Sequence, residues 1–115
     1  MIIKNLVDGI NFNTFTNSEE LVQEMDKEIS GLYTCDLLSW VMANGKIGNA
    51  WITVQTHNNI LAVASLLEFS CIILPDGLQP DPGVIEKAEN EGIPIIGSPL
   101  SAYDIFKVLY EAGLK

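Results

Sequence analysis

Four short apolar runs, Gly31–Thr34, Ala50–Val54, Ser70–Leu74 and Ile93–Gly97, punctuate the chain from residue 31 onward, each followed by a segment of helical character. A hairpin needs only a few connecting residues, whereas a connection that holds a helix lets its two strands run parallel. The spacing therefore predicts four parallel strands joined by right-handed crossovers. Helices are expected at Asp36–Asn44, His57–Glu68 and Pro82–Glu91, with Ser101–Ala112 closing the chain. The 115 residues, 48% of them hydrophobic, suffice for one continuous core. The expectation is a single small α/β domain over residues 1–115, with a mainly parallel sheet built of four βα units and flanked by helices.

The helix ends carry local signals. Asp81 is placed as N-cap with Pro82 at the first helical position, and Gly92 followed by Pro94 as the stop. Ser101 and Asp104 have the spacing of a capping box, ended by Gly113. Between Asn58 and Leu67 almost no polar face remains, which predicts the most buried helix of the domain. In the first thirty residues, Ile2–Asp8 reads as a short helix ended by Gly9. Asn11–Thr16 reads as an extended edge segment, and Asn17–Met25 as a polar turn or helix capped by Asn17 or Ser18.

Six Lys and Arg against fifteen Asp and Glu give a net charge of −9, so the average surface repels a phosphate backbone or an anionic membrane. Neither nucleic acid nor membrane is an expected partner. No apolar run reaches the roughly 18 residues of a membrane span, and Met1–Asn5 lacks the build of a signal peptide. A cytoplasmic protein is expected. Cys35 and Cys71 lie in apolar segments without metal-ligand spacing and read as buried small hydrophobes, not as a disulfide. The chain has no Walker loop, no dinucleotide fingerprint and no nucleophile elbow, and it has a single histidine. Kinase, NTPase and metalloenzyme chemistry are not expected, and neither a metal nor a cofactor is.

Ligands of open parallel sheets bind at the carboxyl ends of the strands. There the first strand delivers Thr34, Cys35 and Asp36, and the second Gln55, Thr56, His57 and Asn58. The third delivers Pro75–Gly77, the fourth Gly97 and Ser98. The free N–H groups of the helix after Thr56 favour an anion. Asp36, Gln55, Thr56, His57, Asn58 and Ser98 are thus the candidate ligand-binding residues. Each also has a plainer reading: Thr56 or Asn58 as a helix cap with His57 packed at its mouth, and Asp36 as the N-cap of the next helix. Trp40 and Trp51 read as core or interface rather than as stacking platforms.

The order Asp26-Lys27-Glu-Ile-Ser30-Gly31, then Thr34-Cys-Asp36-Leu-Leu-Ser39, then Ile52-Thr-Val-Gln55-Thr-His57-Asn-Asn59-Ile-Leu-Ala-Val-Ala64, resembles the DRTGG domain family from about Asp26 to the end of the chain. Asp26, Lys27, Ser30 and Gly31 fall on the naming motif, with Lys for its Arg, Ser for its Thr and Leu32 for its second Gly. The resemblance implies a fold like the N-terminal domain of HPr kinase/phosphorylase, which lacks the kinase active site. It also implies a regulatory or assembly-forming role, with another copy of the domain as partner. The functional expectation is a non-catalytic regulatory domain that binds a small anionic metabolite or nucleotide at the carboxyl edge. The alternative is a ligand-free interaction module that forms a homodimer or docks on a metabolic enzyme, and an enzyme using His57 as acid or base comes third.

Overall fold

The computed structural model describes residues 1–114. The elements run α1 (Ile3–Asp8), β1 (Asn13–Thr14), α2 (Val22–Met25), β2 (Gly31–Thr34), α3 (Leu38–Asn44), β3 (Asn49–Ile52), α4 (Asn59–Leu66), β4 (Cys71–Leu74), α5 (Val84–Glu91), β5 (Ile95–Gly97) and α6 (Ala102–Glu111). One five-stranded sheet has the order β1-β5-β4-β3-β2. The four strands after residue 31 are all parallel, whereas β1 pairs antiparallel with β5. The segment Asn11–Thr16 thus supplies an edge strand, and the sheet is mixed.

Strand alternation divides the apolar side chains between two layers. Ala50, Ile52, Cys71, Ile73 and Ile96 pack with Ile3 and Leu6 of α1, Met25 of α2 and Ile105 and Leu109 of α6. Trp51, Ile72, Leu74 and Ile95 pack on the other side with Val41 of α3, Ile60 and Leu61 of α4 and Val84 and Ala88 of α5. Each crossover steps to the neighbouring strand in the same direction, and a constant hand then puts α3, α4 and α5 on one face. The N-terminal segment and α6 cover the opposite face. The central strands are therefore buried on both sides, which is why they read as continuous apolar runs.

Helix starts differ from the sequence expectation in three places. α4 begins at Asn59 rather than His57. α5 begins at Val84 rather than Pro82, with Gly83 in the N-cap position at φ +86°. Asp81 does not cap it, because its carboxylate accepts the Thr56 hydroxyl. α3 begins at Leu38 with Leu37 as N-cap and no side-chain cap, so Asp36 is not its cap. The Ser101 signal matches: its hydroxyl accepts the Asp104 N–H at 3.2 Å. α4 buries Ile60, Leu61, Val63 and Ala64 but leaves Leu66 exposed, so its apolar circumference is not covered all round. Trp51 is buried, and Trp40, expected to be packed, is exposed on this chain.

Both cysteines are free, and burial pushes the Cys71 thiol up to about 12, against a smaller lowering by its contact with Ser70. Only a thiolate alkylates readily. At pH 8 the native protein is expected to take up one equivalent of iodoacetamide, at Cys35, and a second only after denaturation. Peptide mapping of the labelled protein checks this.

A glycine is required in the last strand. A Cβ on Gly97 would stand 2.5 Å from a Phe15 ring carbon and 2.8 Å from the side-chain amide nitrogen of Asn13, its partner across the β1–β5 pair. Gly97→Ala is expected to destabilise the fold by about 1–3 kcal/mol through overpacking, measured by urea unfolding.

Candidate functional site

At the carboxyl edge the polar side chains bond chiefly to one another. Asp36 Oδ1 accepts both the Thr53 hydroxyl and the Val54 N–H at 2.8 Å. The Gln55 side-chain amide donates to the Asp36 carbonyl at 3.0 Å, and the Gln55 N–H donates to the Thr53 hydroxyl at 3.2 Å. Thr34 donates its hydroxyl to the Ile52 carbonyl, and the Trp51 indole N–H donates to the Cys35 carbonyl, each at 3.0 Å. The loop after β2 is thus lashed to the end of β3. Thr53 is the residue that sequence reasoning missed here. A threonine inside Trp51-Ile-Thr-Val54 is a polar group in an otherwise apolar run, and its burial demanded a partner.

A second set joins the next two loops. The Thr56 hydroxyl donates to Asp81 Oδ1 at 2.8 Å, and the Asp81 N–H returns a bond to the Thr56 carbonyl at 3.0 Å. Thr56→Ala removes half of that clasp and is expected to cost about 1 kcal/mol, read as a shift in denaturation midpoint. His57, Asn58 and Asn59 are exposed. Asn58 occupies the N-cap position of α4 without a side-chain cap bond. Among the described residues, no hydrogen bond uses the N–H groups of residues 57–59 or the His57 ring.

Ser98 lies apart from these two sets. It is buried, and its hydroxyl accepts the Leu100 N–H at 3.1 Å while its carbonyl accepts the Gly77 N–H at 3.0 Å. With Asn13, Phe15, Gly77, Leu78, Gln79 and Pro99 it lines a groove of about 200 Å³. Asp36, Gln55, Thr53 and Thr34 are therefore brought together, Thr56 is joined to Asp81, and Ser98 belongs to the β4–β5 side. The four parallel strands lie in sequence order, so their crossovers never reverse direction and open no switch-point crevice between them.

The residues of the DRTGG-like motif lie at the opposite, amino edge. Ser30 donates its hydroxyl to the Ile47 carbonyl at 2.8 Å and accepts the Asn49 side-chain amide at 3.3 Å. Gly48, at φ +81°, passes so close that a Cβ would stand 2.9 Å from Ser30 Oγ. Asp26 ends α2 and Gly31 opens β2. Lys27 lines a cavity of about 440 Å³ together with Glu28, Glu68, Ser70, Glu91 and Gly92. Three carboxylates against one ammonium make that opening unfavourable to an anion. No group of three or more His, Cys, Asp or Glu among the described residues is placed to hold a metal ion, and no helix is long and apolar enough to cross a membrane.

No protein-family model matches the chain, and no curated protein sequence does. The fold is similar to that of a solved structure from Clostridium perfringens, the CBS and DRTGG domains of the regulatory region of a pyrophosphatase complexed with the activator diadenosine tetraphosphate. The TM-score is 0.56 at 16% identity, covering 82% of this chain and 46% of that one. The chain spans less than half the length of this neighbour, and the likeness is one of fold.

Proposed function

We propose that this chain is a non-catalytic regulatory domain of the DRTGG kind, related in fold to the N-terminal domain of HPr kinase/phosphorylase, that senses a small anionic metabolite or nucleotide at its carboxyl edge. The observation that carries the reading is the start of α4, where three exposed N–H groups and the His57 ring stand without a protein partner. Such a helix start favours an anion. Asp36 and Asp81 turn Oδ1 toward Thr53, Val54 and Thr56, away from those N–H groups, which leaves the helix start to a ligand. The neighbour of similar fold, a regulatory region solved with a nucleotide activator, supports the same class of role. Gln55, Thr56, His57 and Asn58 are the proposed contacts, with Asp36 orienting the loop and Ser98 at the far side of the edge.

A ligand-free interaction module is the second reading, favoured by the self-bonded polar groups of that edge and by large apolar side chains left exposed elsewhere. In both readings the chain acts in the cytoplasm as a homodimer, alone or docked on a metabolic enzyme.

The two readings part in a thermal-shift screen with diadenosine tetraphosphate, ATP, ADP and sugar phosphates. A ligand at a hundredfold excess over its Kd stabilises the native state by about 2.7 kcal/mol, a rise of several degrees. His57→Ala is expected to leave the melting temperature of the free protein unchanged and to abolish the rise. A flat screen across all four classes removes the sensing reading and leaves the interaction module.

A further inference from the structure

We infer that the free edge of β2 is the homodimer interface, with Gly31–Thr34 of one copy pairing antiparallel with the same segment of a second copy to join two five-stranded sheets into one. The inference rests on the homodimer proposed above and adds the surface that makes it. β2 ends the sheet and pairs only with β3. The Ser30 N–H bonds to the Gly48 carbonyl at 3.0 Å. Since peptide groups alternate along a strand, those of Leu32 and Thr34 also face β3, whereas those of Gly31 and Tyr33 face away. Among the described residues, no hydrogen bond outside the β2–β3 ladder uses the peptide groups of Gly31 or Tyr33.

The same edge is covered immediately upstream. The Ile29 N–H bonds to the Met1 carbonyl, the Ile3 N–H bonds to the Lys27 carbonyl, and Ile2 bridges Glu28 antiparallel. That cover stops where β2 begins. Exposed edges are normally blunted by shortness, charge, proline or a bulge. The opposite edge is blunted, because β1 has two residues. Gly31-Leu-Tyr-Thr-Cys35 contains no charged residue and no proline.

Apolar shoulders flank the edge on both faces. Leu32 and Gly31 line a groove of about 220 Å³ with Phe106, Tyr110 and Leu114, and Tyr103 and Phe106 continue it along α6. On the other face, Leu37 is 64% exposed and Trp40 58%, at the start of the helix that crosses from β2 to β3. With aromatic side chains of about 150–250 Å² each, these residues offer roughly 500 Å² per copy. Together with the strand itself this comes near the ~800 Å² per partner of a standard interface.

A second copy suits this surface better than another partner would. What an unpaired edge lacks is another unpaired edge of equal length, and antiparallel pairing about a two-fold axis is self-complementary. The axis passes beside Tyr33, whose N–H and carbonyl meet those of Tyr33 of the second copy, while Leu32 stands opposite Thr34. Two chains of net charge −9 repel. They approach with least opposition along a segment without charge, flanked by Lys107 and Glu111, one of each sign.

Sedimentation equilibrium of the whole chain at high micromolar concentration is expected to give a dimer. Tyr33→Pro removes an outward N–H and leaves the β2–β3 ladder intact, so a monomer with unchanged far-UV circular dichroism is expected. Trp40→Glu tests the shoulder at an exposed position and is expected to weaken the dimer about thirtyfold or more, as loss of one central contact does. Should Tyr33→Pro fail to fold, Trp40→Glu decides. Leu66→Glu, at an exposed site on α4, is expected to leave the dimer unchanged. A dimer lost in Leu66→Glu and kept in Tyr33→Pro and Trp40→Glu overturns the edge pairing while the homodimer stands. A wild-type monomer at high micromolar concentration overturns both.

Discussion

Trp51→Ala is expected to lower the unfolding free energy by about 3–5 kcal/mol, the largest single effect anticipated for this chain and a large fraction of the roughly 5–15 kcal/mol that holds an ordinary domain together. Trp51 sits on β3, one strand in from the β2 edge, on the face covered by α3, α4 and α5, and its ring meets Phe69 at a centroid distance of 5.6 Å. Its indole N–H also fixes the loop after β2 through the Cys35 carbonyl at 3.0 Å. Alanine there loses a buried ring, leaves a cavity between two rigid layers and frees that carbonyl. Trp51→Phe keeps one aromatic ring, loses the hydrogen bond and part of the buried volume, and is expected to cost less. Urea unfolding followed by circular dichroism separates the two; a loss under about 1 kcal/mol for Trp51→Ala would contradict the packing described.

Asp36→Ala is expected to cost about 1–3 kcal/mol, since it leaves the hydroxyl of the buried Thr53 and the Val54 N–H without their acceptor. Asp36→Asn retains an Oδ1 that can accept both, with a weaker neutral acceptor, and is expected to cost less than half as much. Were Asp36 a helix cap, the damage would appear in the first turn of α3. Because it clasps the end of β3, hydrogen exchange is expected to speed up at Val54 and Gln55, with the α3 amides unaffected.

The strands were legible because burial on both faces leaves an unmistakable trace. Gly31–Thr34 was delimited correctly at both ends, Ser70–Leu74 and Ile93–Gly97 began one and two residues early, and Ala50–Val54 began one residue late and ended two late. Ser101 was legible as a cap because its partner lies three residues away on the same helix. Asp81 and Asp36 carry the same local signature and do something else. Their hydrogen-bond donors come from residues 56, 53 and 54, which the fold brings alongside and which no window of local sequence contains. The same limit applies to the candidate site. The sequence ranks which side chains stand at strand ends, while only the strand order decides which loops touch.

What this sequence determined by itself was the set of elements, the parallel sense of the four later strands and the chemistry available at each end of the sheet, since periodicity, connection length and residue type are properties of the chain in one dimension. The tertiary structure decided the rest. It set the strand order and hence the missing reversal, put Asp36 and Asp81 in clasps instead of caps, separated Ser98 from His57, and left β2 with an unpaired edge between apolar shoulders. These outcomes depend on which distant segments become neighbours, and that is fixed by burying both faces of the sheet at once.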